Sequence, residues 1–306
     1  MSHSARPSRP SDVKVVEKVN RLAAEFTAAR ERLVGVAYGV VGTVAEAEDA
    51  AQEAWLRLQR AAERGEEIAD VEGWLVVATA RIALDVLRSA RRRREEYVGP
   101  WLPEPLVAVD GADPADRVTL AESMSVALLA VLESLSPAER TVFVLHDVFG
   151  LPFGEISGIV GRSAAACRRL AARARAHVTA RAPRFEVDAT RHREVVEAFA
   201  AAAEGADLDA LLRLLDPDVV LTNDGGGLVK AARNRVRGAD RVARFLAGVA
   251  RKHRGTLRPA VVNGWAGLVR RRADGSPDCV LALTVAGGRI TAVDMVLHPE
   301  KLRRIR

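Results

Sequence analysis

The segment LPFGEISGIVGRSAAACRRLAARARAHV, residues 151–178, predicts two short helices joined by a tight turn. Ile156 and Val160 recur at helical spacing in the first half, and Gly161 can leave the helix in a left-handed conformation. Ser163 then stands at the N-cap position of the second helix. Such a hairpin fits a helix that enters the major groove of DNA. An ordinary helical hairpin with a solvated basic face is the alternative, and the hairpin alone does not decide between the two.

The second helix of this hairpin carries apolar and basic side chains on different faces. Small and apolar residues form one narrow stripe, while arginines occupy the opposite side and the turn. The stripe consists of Cys167, Leu170, Ala171, Ala174 and Val178. The residues that would meet DNA are Arg162, Ser163, Arg168, Arg169 and Arg173.

Charge is sorted into blocks along the chain. The 306 residues carry a net charge of +6. Segments 46–72 and 95–155 have net charges of −6 and −9, whereas 81–94 and 162–184 have +5 and +7. Two basic surfaces separated by acidic ones predict contact with nucleic acid at two places and with a protein partner elsewhere.

Cysteine usage and apolar patterning exclude several other classes of protein. Cys167 and Cys279 lie in unlike segments without CxxC or His-rich spacing, so we expect no metal site, no cofactor and no disulfide framework. The opening residues MSHSARPSRP lack an apolar leader, and no apolar run approaches the length of a membrane span. These patterns predict a protein of the reducing cytoplasm with no membrane contact.

Changes of pattern divide the chain into five segments. Residues 1–12 are rich in Ser, Pro and Arg, which predicts disorder. Helical periodicity covers 13–96, four prolines and two glycines make 97–117 a linker, and helical periodicity returns over 118–183. A different, α+β pattern fills 184–306.

The last segment predicts helices followed by strands. The predicted strands are VVLTND, GGGLVKAARNRV, LRPAVVNGWAGLVRRR, CVLALTVAGG and RITAVDMVLH, with one helix near residues 239–252. This order favours helices on one face of a curved antiparallel sheet.

Three helical stretches together resemble regions 2 and 4 of a bacterial sigma factor of the extracytoplasmic-function type. They are AYGVVGTVAEAEDAAQEAWLRL, GWLVVATARIALDVLRSARRRR and LSPAERTVFVLHDVFGLPFGEISGIVGRSAAACRRLAARARAHV. The linker YVGPWLPEPL and the added C-terminal domain are similar to the sigma-J-like group, whose members carry a fused SnoaL-like domain of cone shape. That group's triple-glycine motif is matched at 224–227. Its terminal Asn-Pro-Asp-Lys-Leu-like motif corresponds to 298–302, which departs at two of five positions.

The resemblance implies roles for particular residues. Those expected to bind core RNA polymerase are Asp49, Gln52, Glu53, Trp55 and Leu56. Those expected along the helix that melts and reads the −10 element are Trp74, Arg81, Arg88, Arg91 and Arg92. Those expected at the −35 element are Arg162, Ser163, Arg168, Arg169 and Arg173. Those expected to regulate through the C-terminal domain are Trp101, Leu102, Pro103, Asp224, Gly225, Gly226, Gly227, His298, Pro299, Lys301 and Leu302.

Plainer interpretations stand beside these roles. The polymerase-binding helix could be an amphipathic helix with a solvated acidic face, and Trp74 fits a core position better than a stacking platform. Asp224 before three glycines is more simply a turn residue. Because SnoaL-like folds include acid–base enzymes, Asp224, His253, Asp294 and His298 are also candidate catalytic groups, although their spacing does not show that they meet.

Three functions therefore compete. The first is a sigma factor that directs RNA polymerase to promoter DNA, with a C-terminal domain that packs on the sigma regions or the linker as an intramolecular regulator. The second is a helix-turn-helix regulator without polymerase-subunit activity, and the third is a SnoaL-type enzyme fused to a DNA-binding module. The helix DAAQEAWLRL and the arginines of 81–94 favour the sigma factor, because an operator-binding protein needs neither. We therefore expect that the protein is not an enzyme. The binding of a small ligand by the last domain is a further possibility that the sequence does not decide.

Overall fold

The computed structural model describes residues 10–108, 124–181, 188–252 and 255–305; the side chains of 10–19, 91–95 and 181 lie outside the description. Three helices form the first unit: α1 (Pro10–Val41), α2 (Val44–Glu63) and α3 (Val71–Glu95). Disorder was expected over 1–12. Residues 1–9 lie outside the described range, but 10–12 are helical, because proline suits the first position of a helix.

The second unit contains the predicted helix-turn-helix. Its elements are α4 (Val126–Leu132), α5 (Pro137–Phe143), a π-helical turn (Val144–Val148), α6 (Phe153–Val160) and α7 (Ala164–Arg181). Ser136 and Glu139 make a capping box at the start of α5. Gly161 ends α6 with φ of +70°, and the Ser163 hydroxyl accepts a hydrogen bond from the Ala166 amide at 3.2 Å. The expected start of α4 near 118 lies outside the described residues, and Ser125 caps the helix that is described.

The third unit is an α+β domain, as predicted. Its helices are α8 (Ala189–Glu204), α9 (Leu208–Leu214), α10 (Ala239–Lys252) and α11 (Pro299–Leu302). Its strands are β2 (Leu215–Asp224), β3 (Val236–Arg237), β4 (Thr256–Val262), β5 (Trp265–Arg271), β6 (Pro277–Ala286) and β7 (Arg289–Val296).

Two expectations about the sheet are wrong. The sheet is mixed, not antiparallel, because β2 pairs in parallel with β7, with Asp224 beside Val296. The expected strand over 225–236 is a turn and an irregular stretch, with only Val236 in a strand. Gly226 and Gly227 have φ of +58° and +75°, which takes the chain out of the extended conformation.

The linker adds a strand to this sheet. Strand β1 (Val107–Ala108) pairs antiparallel with β4, and the sheet order is β1-β4-β5-β6-β7-β2-β3. Helices α8, α9 and α10 cover one face. The other face is covered by apolar residues of the linker, of α4 and of the C-terminal segment that contains α11, namely Leu102, Val126, Leu302 and Ile305. The pairing of β5 with β6 and of β6 with β7 shifts register once in each pair, and irregularities of this kind bend a sheet.

The two sigma-like units share one apolar core. Leu33, Leu58 and Leu84 from the first unit belong to the same buried cluster as Leu145 and Ile156 from the second. The chain therefore has two main cores, and the linker lies between them. Among the described residues, no helix is long and apolar enough to cross a membrane, and no group of His, Cys, Asp or Glu could hold a metal ion.

Candidate functional site

Asp224 is the centre of the contact between the linker and the C-terminal domain. It is the last residue of β2 and is fully buried. The Tyr97 hydroxyl donates to its Oδ1 at 2.5 Å, and the Leu102 amide donates to Oδ2 at 2.8 Å. Two linker residues thus bind one carboxylate, which corrects the interpretation of Asp224 as a plain turn residue.

Lys301 neutralises this carboxylate. Its Nζ lies 2.6 Å from Asp224 Oδ2 and also donates to the Leu102 carbonyl oxygen. The same ammonium lies 4.2 Å from the centre of the Trp101 ring, a cation–π geometry. Helix α11 delivers Lys301 to this position because Pro299 occupies the first helical position and the His298 ring caps the helix by accepting from the Glu300 amide.

The glycines after Asp224 permit close packing on the linker. A Cβ on Gly226 would collide with the His298 ring and come within 2.9 Å of the Tyr97 hydroxyl. A Cβ on Gly227 would lie 3.1 Å from Val98. Burial and the Lys301 charge lower the pKa of His298, so its ring is neutral where it stacks on Tyr97. The first glycine, Gly225, is buried.

All eleven residues expected to regulate lie at or beside this contact. Leu102, Pro103, Lys301 and Leu302 are buried, Trp101 is half-buried, and Pro299 is exposed on α11. The interface also contains residues that the sequence interpretation missed: Tyr38, Glu104, Asn263 and Arg304.

Glu104 joins the linker to the first unit. Its amide donates to the Gly42 carbonyl at 2.9 Å, and its carboxylate accepts from the Val44 amide at 2.8 Å. The Tyr38 hydroxyl donates to the Glu104 carbonyl at 2.7 Å. Burial raises the pKa of Glu104, while Arg304, 3.8 Å away, opposes the rise. Arg304 also reaches Glu48 of α2 at 2.6 Å, so the C-terminal segment contacts the first unit directly.

Asn263 of the third unit forms hydrogen bonds with the linker and with both other units. Its side-chain oxygen accepts from the Leu106 amide at 3.0 Å, and its backbone amide donates to the Leu106 carbonyl at 2.8 Å. Its Nδ2 donates to the Tyr38 hydroxyl and to the Met124 carbonyl. The only visible signal in the sequence was the Asn-Gly pair of a hairpin turn, and Asn263 indeed has φ of +49°.

The expected polymerase-binding face lies on α2. Asp49, Gln52 and Leu56 are exposed. Among the described residues, few other large apolar side chains are exposed as Leu56 is. Glu53 pairs with Arg57 at 2.8 Å. Trp55 is half-buried against Phe26, with ring centres 5.0 Å apart. The face is thus acidic with an apolar edge.

The expected −10 residues lie on α3, and one of them contacts the helix-turn-helix. Arg81 donates to the Gly158 carbonyl of α6 at 3.0 Å. Arg88 pairs with Asp85 at 3.0 Å, and Trp74 is half-buried against the core. The side chains of Arg91 and Arg92 lie outside the described residues.

The expected −35 residues are exposed on one side of the hairpin. Arg162, Ser163, Arg168, Arg169 and Arg173 are all exposed. Arg173 pairs with Glu139 at 2.9 Å, and the Arg168 guanidinium lies 5.7 Å from the centre of the Phe153 ring. These two contacts orient the cations along the helix without removing them from solvent.

The candidate catalytic groups of the last domain are not joined by any hydrogen bond or ion pair described for it. Asp294 is buried on β7, and burial raises its pKa to about 6. Asp224 is paired with Lys301 and His298 caps α11, so both are engaged in the linker contact. His253 lies outside the described residues.

Comparison with known proteins agrees with this architecture. Family models match Sigma-70 region 2 over residues 26–93, Sigma-70 region 4 over 125–178 and a SnoaL-like domain over 196–297. The ECF RNA polymerase sigma factor SigJ of Mycobacterium tuberculosis is 42% identical over 289 residues, covering 90% of this chain and 92% of that protein. A probable ECF sigma factor SigI of the same species is 38% identical, covering 93% and 96%. The crystal structure of M. tuberculosis SigJ matches with a TM-score of 0.74 at 38% identity, covering 91% of this chain and 97% of that one.

Proposed function

This chain belongs to the extracytoplasmic-function RNA polymerase sigma factors with a fused SnoaL-like domain, and we propose that the linker contact around Asp224 holds it in a resting state. The predicted family and fold class are confirmed, apart from the parallel pair in the sheet. As a sigma factor the protein binds core RNA polymerase and promoter DNA and directs transcription initiation. The proposal concerns the regulatory role of the last domain. We also propose that the protein acts in the cytoplasm.

The resting state follows from a comparison of lengths. Elements centred at −10 and −35 are separated by roughly 25 base pairs, or about 85 Å of duplex. Helices α3 and α7 have 25 and 18 residues, which makes them about 37 and 27 Å long. Because Arg81 of α3 touches Gly158 of α6, the two regions cannot reach both elements in this arrangement. They must separate before the promoter is bound.

The linker resists this separation because it is bound on both sides. Leu102 and Tyr97 are held by Asp224, Glu104 by the first unit, and Leu106 by Asn263. The proposal depends on one observation: the Asp224 carboxylate is fully buried, and its hydrogen-bond and ion-pair partners come from the linker and from α11. Its hydrogen bonds exist only while the SnoaL-like domain is docked, so the domain biases the sigma regions toward the closed arrangement.

The proposed transition can be measured by energy transfer between dyes on α3 and α7. Both native cysteines are buried, so Asp85→Cys and Ala172→Cys place dyes selectively on exposed positions. We expect high transfer efficiency in the free protein and low efficiency in the complex with core polymerase and promoter DNA. Unchanged efficiency in a complex that synthesises run-off transcript would show that no separation is needed and would refute the resting state.

The other two candidate functions are less well supported. A helix-turn-helix regulator without polymerase-subunit activity does not need a Sigma-70 region 2, which matches residues 26–93 here. An enzyme needs catalytic groups that meet, whereas Asp224 and His298 are engaged in the linker contact. We therefore infer that the last domain acts by docking and not by catalysis.

A further inference from the structure

A cavity of about 320 Å³ lies between the linker and the loop that follows β2. Val98 and Gly99 of the linker form one wall, Asn223 lies at the end of β2, and residues 225–233 form the rest. The volume falls within the range of small-molecule sites, about 300–1,000 Å³. The cavity adjoins the Asp224 contact, and Val98 and the three glycines 225–227 belong to both.

The charged residues that line this cavity are cationic. They are Lys230 and Arg233, both exposed, and no acidic side chain is among the described residues that line it. Asp224, which lies between the lining residues Asn223 and Gly225 in the sequence, is neutralised by Lys301. The lining therefore favours an anion.

Two apolar side chains at this cavity are unusually exposed. Val98 is 45% and Leu228 64% exposed, and only Leu56 joins them as an exposed large apolar residue in the part of the chain that the structure describes. Exposed apolar groups gathered at one cavity indicate a binding surface for an apolar group. The ligand should then carry an apolar portion beside its charge.

From these observations we propose that the cavity binds a small organic anion that has a short apolar chain. Lys230 and Arg233 bind the charge, and Val98 and Leu228 contact the chain. The site rests on the proposed function in one respect. Because Val98 and Gly99 are linker residues, an occupant that contacts them stabilises the docked linker and lowers transcription.

The binding step is tested by calorimetry on the full-length protein with octanoate as the probe. We expect one site, and about tenfold weaker binding to the double variant Lys230→Ala/Arg233→Ala, since two exposed cations contribute modestly each. The matched control is Arg237→Ala/Arg258→Ala, which removes two exposed cations elsewhere in the same domain and should bind as the wild type does. Inorganic phosphate, which lacks the apolar chain, should bind much more weakly.

Three outcomes overturn the site: no binding of octanoate, equal binding to the Lys230→Ala/Arg233→Ala variant, or phosphate binding as tight as that of the probe. The regulatory step is tested separately by run-off transcription with the probe at its wild-type Kd. There we expect reduced transcript from the wild type and a much smaller reduction from the double variant, of which only about one molecule in ten then binds the probe. Binding at the site without a change in transcript would leave the site standing and refute its link to the resting state.

Discussion

Replacing Lys301 by methionine tests the proposed resting state most directly. The Lys301–Asp224 pair is buried, with side chains 8% and 0% exposed, so Lys301→Met leaves an uncompensated carboxylate in the interface. Removing one partner of a buried pair costs about 3–5 kcal/mol. The lower value applies here, because Tyr97 and Leu102 still donate to Asp224. At 1.36 kcal/mol per decade, 3 kcal/mol shifts the equilibrium between docked and undocked linker by roughly 100-fold.

The assay is native-state hydrogen exchange at the Leu102 amide, which is protected by its bond to Asp224. We expect its exchange in Lys301→Met to be about 100-fold faster than in the wild type. The amide of Leu281, in the middle of the sheet, should change far less. Arg244→Met is the matched control, because the Arg244–Asp240 pair is exposed on α10 and its loss should change exchange at Leu102 by less than threefold.

One result would refute this reasoning. If Lys301→Met is folded, as shown by normal protection at Leu281, and Leu102 exchanges at the wild-type rate, the ion pair does not hold the linker. Run-off transcription gives an independent measure. Undocking should increase the transcript made at limiting polymerase, and an unchanged yield despite fast exchange would separate docking from regulation.

Three further predictions follow from the same interface and its sheet. Tyr97→Phe removes one charge-assisted hydrogen bond to Asp224, and we expect exchange at Leu102 to be about tenfold faster. Gly226→Ala places a Cβ against the His298 ring at a positive φ, so limited proteolysis should cut the linker faster than in the wild type. Asp294 has a pKa raised to about 6 by burial, so protonation stabilises the fold fully below about pH 3.8, and this contribution is lost as the pH rises through 6. Thermal denaturation should therefore show that Asp294→Asn is more stable than the wild type by up to about 3 kcal/mol at pH 8, and this difference should vanish toward pH 4. A difference in stability that does not depend on pH would contradict this prediction.

Local features of the fold could be predicted because their causes lie within a few residues. Gly161 and Ser163 determine the turn of the hairpin, and Ser136 caps α5 together with Glu139, three residues away. The helical periodicity of the sigma regions is likewise a property of neighbouring residues. Such signals are complete in the sequence, and the structure shows them where they were expected.

The role of Asp224 could not be predicted because its partners are distant along the chain. Lys301, Leu102 and Tyr97 are separated from it by 77, 122 and 127 residues. A carboxylate before three glycines gives the same local pattern whether it faces solvent or an ammonium group. The parallel pairing of β2 with β7 was missed for the same reason, since strand propensity carries no information about direction.

The positions of these polar groups argue that the linker is released as a whole. Asp224 and Asn263 bind two different parts of it, and Glu104 of the linker binds the first unit. None of the three residues is more than 6% exposed. Detaching one part alone would leave a buried acceptor or donor unpaired, at a cost of about 1–3 kcal/mol for each group. Full separation avoids this cost because water then reaches all three. Intermediate states are therefore disfavoured, and under the proposed resting state we expect release of the SnoaL-like domain and separation of regions 2 and 4 to occur as a single transition.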